Sequence, residues 1–211
     1  MTVEIRTIIV GPLETNCYLV TDGSTGDSFA VDPGFACSTL IDLVRDLHLT
    51  DILLTHSHFD HIGGVSRLVE LTGARVWVHS AEAEWLQNPH LNLSAAMGEL
   101  SPPVSAPAAA ILLQGHEERE FLGEPITVLH TPGHTPGHVT YLFKDVAFVG
   151  DLIFRGSVGR TDFPGGNSRT LIRSIEEAIL PLPADVRLLP GHGPATTVGE
   201  ERRHNPFLAG L

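Results

Sequence analysis

Residues 55–64 read T-H-S-H-F-D-H-I-G-G and follow the apolar run D-I-L-L of residues 51–54. Asp51–Thr55 reads as a buried strand and Gly64–Leu71 as an amphipathic helix, so His56, His58, Asp60 and His61 fall at one strand-to-helix turn. Alternate side chains of an extended segment share a face, which puts His56 and His58 on one side while Asp60 and His61 enter the turn and aim at a neighbouring point. That spacing suits two adjacent ions. Chance packing of four such groups would carry a desolvation cost with nothing to offset it. Gly63 and Gly64 permit close backbone approach where the loop becomes helix.

Three more donors stand at strand ends, each after a glycine: His134 in T-P-G-H-T-P-G-H, Asp151 in F-V-G-D and His192 in L-P-G-H-G-P. Imidazole and carboxylate donors suit zinc, iron or manganese, and a carboxylate can bridge two cations with its two oxygens. Two ions about 3.5–4 Å apart lower the pKa of a shared water and polarise a carbonyl or phosphoryl oxygen. His48, His79, His90, His116 and His204 read as surface or structural residues. His130 and His138 read as structural or supporting, because ligand geometry favours the loop residue His134. Cys17 has no neighbouring base or positive field and reads as core.

Around these donors, strands are expected at Val3–Val10, Asn16–Thr21, Ser28–Asp32, Arg75–His79, Ile126–His130, His138–Phe143, Val146–Val149 and Val186–Leu189. Helices are expected at Ser38–Leu47, Ala81–Leu86, Arg169–Ile179 and Gly199–His204. Asn88–Ala110, with four prolines and weak periodicity, reads as a long loop able to cover the site. The alternation of elements suggests an α/β chain with two mixed sheets packed face to face and helices outside.

The chain has 211 residues, enough for one domain, and 42% hydrophobic against 18% charged residues argues against disorder. Thirteen Lys and Arg against 25 Asp and Glu give a net charge of −12, which disfavours a phosphate-tracking, nucleic-acid-binding surface. No apolar stretch is long enough to span a membrane, the N-terminal stretch reads as a strand and not a secretory signal, and two cysteines make no disulfide framework, so a cytoplasmic location is expected. Oligomeric state is not legible. The F-P-G-G-N of residues 163–167 reads as a turn before a helix, since no G-x-x-x-x-G-K pattern accompanies it.

With T-H-S-H-F-D-H-I-G-G, T-P-G-H-T-P-G-H, G-D-L-I-F and P-G-H-G-P in that order, the chain resembles the metallo-β-lactamase superfamily over essentially its whole length. G-R-T-D-F-P-G-G-N (159–167) and E-R-R-H-N-P-F-L (201–208) are similar to its small glyoxalase II-like, or hydroxyacylglutathione hydrolase-like, branch. The resemblance implies an αββα sandwich and two divalent metal ions, zinc first with iron or manganese as alternatives. It places His56, His58 and His134 on one ion, Asp60, His61 and His192 on the other, and Asp151 between them. It implies a thioester hydrolase of small-molecule substrates such as an acyl-glutathione, working through a metal-bridging hydroxide that Asp60 orients. Arg160 matches a basic glutathione-contacting position, while Asp162 and Pro194 stand where tyrosines are expected. Residues 1–211 are expected to form a single domain, without the helical glutathione-binding domain of authentic glyoxalase II. The alternatives are a persulfide dioxygenase with one iron held by His56, His134 and Asp151, and a lactone hydrolase on the same fold.

Overall fold

In the computed structural model, which describes residues 3–210, the β-branched run V-E-I-R-T-I-I-V forms β1 (Val3–Val10). A turn at residues 11–14 returns the chain as β2 (Thr15–Asp22), pairing Val10 with Thr15 and Val3 with Asp22. Next comes β3 (Asp27–Val31), antiparallel to β2. Helix α1 (Ser38–Arg45) then carries the chain across to β4 (His48–Leu53), which runs parallel to β3, as a connection of this length allows. The one-turn α2 (Phe59–Ile62) and α3 (Val65–Thr72) make a second crossover to β5 (Arg75–His79), and β6 (Ile111–Leu113) completes a mixed sheet in the order β1-β2-β3-β4-β5-β6. Leu40 and Val44 of α1 and Val65 and Leu68 of α3 meet Ile52, Leu54, Val76 and Val78 in one core.

The segment between β5 and β6 starts with the short helix expected at Ala81–Leu86, as a 3-10 helix, and is then largely the expected long loop. A 3-10 helix spans Ser80–Gln87, two single turns follow at Ser94–Ala96 and Gly98–Leu100, and Val104 and Ala106 enter the core. Buried Asn92 donates its amide to the Trp85 and Val104 carbonyls at 2.9 and 3.0 Å. Its own carbonyl accepts the Phe59 N–H at 3.0 Å. Prolines and small residues erase periodicity here without preventing burial, so the strap is packed down and braces the donor turn.

The second sheet has the order β14-β13-β10-β9-β8-β7. It uses β7 (Glu117–Phe121), β8 (Glu124–His130), β9 (Val139–Phe143) and β10 (Val146–Gly150). After β10 a small hairpin of β11 (Ile153–Phe154) and β12 (Ser157–Val158) leads to α4 (Ser168–Ser174), whose end widens into a π turn over Ile175–Ile179. The Asn167 side chain caps α4 by accepting the Thr170 N–H at 2.9 Å. Then come β13 (Arg187–Pro190), parallel to β10, β14 (Thr196–Thr197) and α5 (Val198–His204). Leu171, Ile175 and Ile179 pack on Ala147, Val149, Leu188 and Val198.

The chain divides into two compact units, Met1–Leu113 with Phe121–Gly123 and Gln114–Glu120 with Glu124–Leu211. Sequence periodicity anticipated the long elements but not β6, β7, β11, β12 or β14. Most of these are two or three residues long, and the polar E-E-R-E-F of β7 has no alternation to read. The strand expected from His138 starts one residue later, at Val139. Among the described residues no helix is long and apolar enough to cross a membrane.

Candidate metal centre

In the first unit the donors sit where β4 ends and the chain turns into α2 and α3. A Cβ on Gly64 would come within 2.7 Å of the Gly34 carbonyl and the Ala36 nitrogen, so this turn closes against the 34–36 loop only with glycine there. His56, His58, Asp60 and His61 are all buried. His56 Nε2 and His58 Nδ1 face each other at 3.1 Å, and His61 Nε2 stands 3.6 Å from Asp60 Oδ2. Thr15 donates its hydroxyl to the same Asp60 oxygen at 3.3 Å.

Asp32, at the end of β3, was not among the expected site residues. It forms with His56 and His61 a set of donor atoms all within 4.8 Å of one another. Its oxygens are already engaged: Oδ1 accepts the Thr55 N–H at 2.8 Å, and Oδ2 accepts the Thr55 hydroxyl at 2.6 Å and the His61 Nδ1–H at 3.0 Å. Asp32 therefore orients His61, directing its Nε2 lone pair away from the carboxylate. His56 is held likewise, Nδ1 to the Thr55 hydroxyl at 3.1 Å. Asp32 leaves a strand end as Asp151 does, but it follows Val31 and lacks the preceding glycine that marked Asp151. Buried Glu82 also escaped notice; its Oε2 accepts the Ser57 N–H at 2.7 Å, clamping the backbone between His56 and His58. Glu82 and Glu84 both stand in this short helix, and nothing local distinguishes the buried one from the exposed one.

In the second unit His134, Asp151 and His192 converge. His134 Nε2 and His192 Nε2 stand 3.6 and 3.7 Å from the same oxygen, Asp151 Oδ2. These gaps are too long for hydrogen bonds. Two ligands about 2.1 Å from a shared tetrahedral ion stand about 3.4 Å apart, so the spacing fits donors around cations. His134 Nδ1 donates to the Arg160 carbonyl at 2.7 Å, leaving Nε2 to face Asp151. Gly159 makes that possible, because a Cβ there would lie 1.7 Å from the Asp151 carbonyl oxygen.

The Arg160 side chain lies elsewhere. Nε and Nη2 both bind Asp162 at 2.7 Å, and the guanidinium carbon sits 3.9 Å from the Phe163 ring centroid. The guanidinium holds the Asp162 carboxyl down at about 2. His48, His90, His116 and His204 are exposed, and His79 caps its own 3-10 helix by accepting the Ala81 N–H at 3.2 Å. Burial pushes the Cys17 thiol up, as expected of a core residue.

The arrangement has known counterparts. The metallo-beta-lactamase superfamily profile matches residues 10–192, a span that includes all seven expected donors. A hydroxyacylglutathione hydrolase, GloC, of Haemophilus influenzae is 37% identical over 97% of this chain and 98% of its own. Among solved structures, the BLEG-1 B3 metallo-beta-lactamase superposes with a TM-score of 0.92 at 39% identity, over 98% of this chain and 100% of that one. The protein TTHA1623, solved in a di-iron-bound form, does so with a TM-score of 0.82 at 39% identity, over 96% and 100%. Two mixed sheets with flanking helices, and clustered histidine and aspartate donors able to hold divalent metal, are thus joined to a match of sequence along nearly the entire chain. The chain belongs to the metallo-β-lactamase superfamily, in its glyoxalase II-like branch, and is a metal-dependent hydrolase.

Proposed function

We propose that the protein hydrolyses thioesters of small acyl-thiols, of the acyl-glutathione kind, at a centre of two divalent ions, with zinc as the metal. His56, His58 and His134 would hold one ion, Asp60, His61 and His192 the other, and Asp151 both. The observation that carries this is Asp151 Oδ2, which has one imidazole nitrogen at 3.6 Å and another at 3.7 Å. Such an oxygen suits a bridge between two ions.

Ions bound there supply a water ionised near neutral pH and a Lewis acid for the substrate carbonyl. Asp60, steadied by Thr15, would orient the attacking oxygen. Asp32 and the Arg160 carbonyl hold His61 and His134 in the ring orientations the ions require. A thiolate with a parent pKa of about 8.5 leaves without a general acid, which fits a site whose donors are all committed to metal. The free edge of the Arg160 guanidinium meets an anionic end of the substrate, its other edge being occupied by Asp162. The likeness to GloC, a hydroxyacylglutathione hydrolase by name, over 98% of that protein's length supports this substrate class.

S-lactoylglutathione hydrolysis by a sample of measured metal content tests the reading; close to two ions per chain and thioester cleavage are expected. The likeness to the B3 enzyme favours β-lactam hydrolysis as a second reading. Nitrocefin, an acyl-homoserine lactone and glutathione persulfide belong in the same assay. Turnover of the lactam or lactone alone replaces the substrate class. Oxygen uptake with persulfide and a single iron overturns the hydrolytic reading.

A further inference from the structure

We infer that His138, the second histidine of T-P-G-H-T-P-G-H, is a positioning residue that fixes Asp151 through its main chain. The inference rests on the reading of Asp151 as the shared metal ligand.

The sheet register explains why this histidine occupies this place. Strands β9 and β10 pair antiparallel, with Val146 opposite Phe143 and Phe148 opposite Tyr141. Continuing that register beyond the ladder sets Asp151 opposite His138. On the other side, β8 pairs with β9 up to His130 opposite Val139, and one step further the Thr131 N–H donates to the His138 carbonyl at 2.9 Å. A strand residue points its N–H and C=O to the same neighbour, so the main chain of His138 is committed to the β8 side. The β9–β10 ladder ends at Phe148 opposite Tyr141, and on its other edge β10 shifts register against β13 between Phe148 and Gly150. The Asp151 N–H, which needs an acceptor in this buried place, finds one in the His138 side chain: Nε2 accepts it at 3.2 Å.

That bond determines the rest of the ring. A backbone N–H only donates, so Nε2 carries the lone pair and the neutral ring has its hydrogen on Nδ1. Nδ1 donates to the Thr131 hydroxyl at 3.0 Å, and the Thr131 and Thr140 hydroxyls are 3.1 Å apart. His138, Thr131 and Thr140 are all fully buried. The imidazole thus accepts the Asp151 N–H one residue past the end of β10, holding the Asp151 backbone so that its carboxylate stays between His134 and His192.

The test uses three variants of the full chain. His138→Gln puts an amide oxygen near the position of Nε2 and keeps the acceptor. His138→Asn reaches only as far as Nδ1, and His138→Phe keeps the ring volume without an acceptor. Metal affinity is read by chelator competition with zinc, alongside the unfolding midpoint of the metal-free protein. Partners that orient metal ligands are worth about 10–100-fold in metal affinity, so the Asn and Phe variants should bind zinc that much more weakly and the Gln variant within a few-fold of wild type. A packing role alone would make Gln no better than Asn, and that result overturns the inference; so does wild-type affinity in a folded Asn or Phe variant. Should Phe fail to fold, the Gln and Asn pair still decides. The ring nitrogens give an independent readout: a nitrogen-15 spectrum with hydrogen on Nε2 of His138 also refutes it. Wild type that binds two ions and cleaves no thioester would sink the substrate reading while leaving these comparisons intact.

Discussion

The Arg160 carbonyl accepts the Nδ1–H of His134 at 2.7 Å, while the Arg160 side chain turns to Asp162 and Phe163. One residue therefore serves a metal donor with its backbone and is available to substrate with its side chain, and substitution separates the two. Arg160→Ala should leave metal content unchanged and raise KM for an anionic thioester more than it lowers kcat, because uniform binding is lost. Asp162 has its carboxyl held down to about 2 by Arg160, so the pair stays ionised above that pH and breaks only as pH falls through it. The KM difference should accordingly be flat between about pH 5 and 8. An unchanged KM removes Arg160 from substrate binding.

Asp60→Ala and His134→Ala should each abolish turnover, since both side chains are assigned to the ions. Metal content should fall below two ions per chain in both. Full metal content with lost activity in Asp60→Ala would instead restrict Asp60 to orienting the nucleophile.

Asp32→Asn weakens the hold on His61 without removing a proposed ligand. Metal affinity should drop by about 10–100-fold, as for other partners of ligating histidines. Chelator competition measures this, and wild-type affinity would show that His61 is oriented by other contacts.

Glu201 is buried in α5 and accepts from the Gly156 N–H at 2.9 Å, the Thr196 hydroxyl at 2.6 Å and the Asn205 amide at 2.8 Å. Asn205 also donates to the Ser157 carbonyl at 2.9 Å, so the terminal E-R-R-H-N motif ties down the β11–β12 hairpin that leads to Arg160. Glu201→Ala strips these donors of their acceptor at a cost of about 3 kcal/mol, read as a lower midpoint in denaturant. A loss below about 0.5 kcal/mol, typical of surface positions, contradicts the role.

Burial, reinforced by the nearby Asp32 carboxylate, pushes the Cys17 thiol up in the folded protein. The unfolded thiol ionises at about 8.5. The folded state therefore retains a proton that the unfolded state releases, so the contribution is complete below that pH and is lost as pH rises above it. Stability of wild type relative to Cys17→Ala should fall between about pH 8 and 10, and a thiol reagent should reach half-buried Cys37 before Cys17. Rapid labelling of Cys17 under native conditions counts against this.

The candidate donors stand out in the sequence because their signals are local. H-x-H on an extended segment assigns two imidazoles to one side, and a donor that follows a strand and a glycine announces itself wherever it occurs, as at His134, Asp151 and His192. The long amphipathic elements were legible for the same reason, since periodicity reports which face of one element seeks burial. What holds the donors was decided only in three dimensions: Asp32 on His61, Glu82 on Ser57, the Arg160 carbonyl on His134 and His138 on Asp151. These partners lie between 13 and 29 residues apart in sequence. Their hydrogen bonds depend on strand register and on which backbone groups the ladders leave unmet. Neither is written in the periodicity of a single segment, and the packed strap at 88–110 shows the same limit: residues without a repeating pattern can still be buried once a surface exists to receive them.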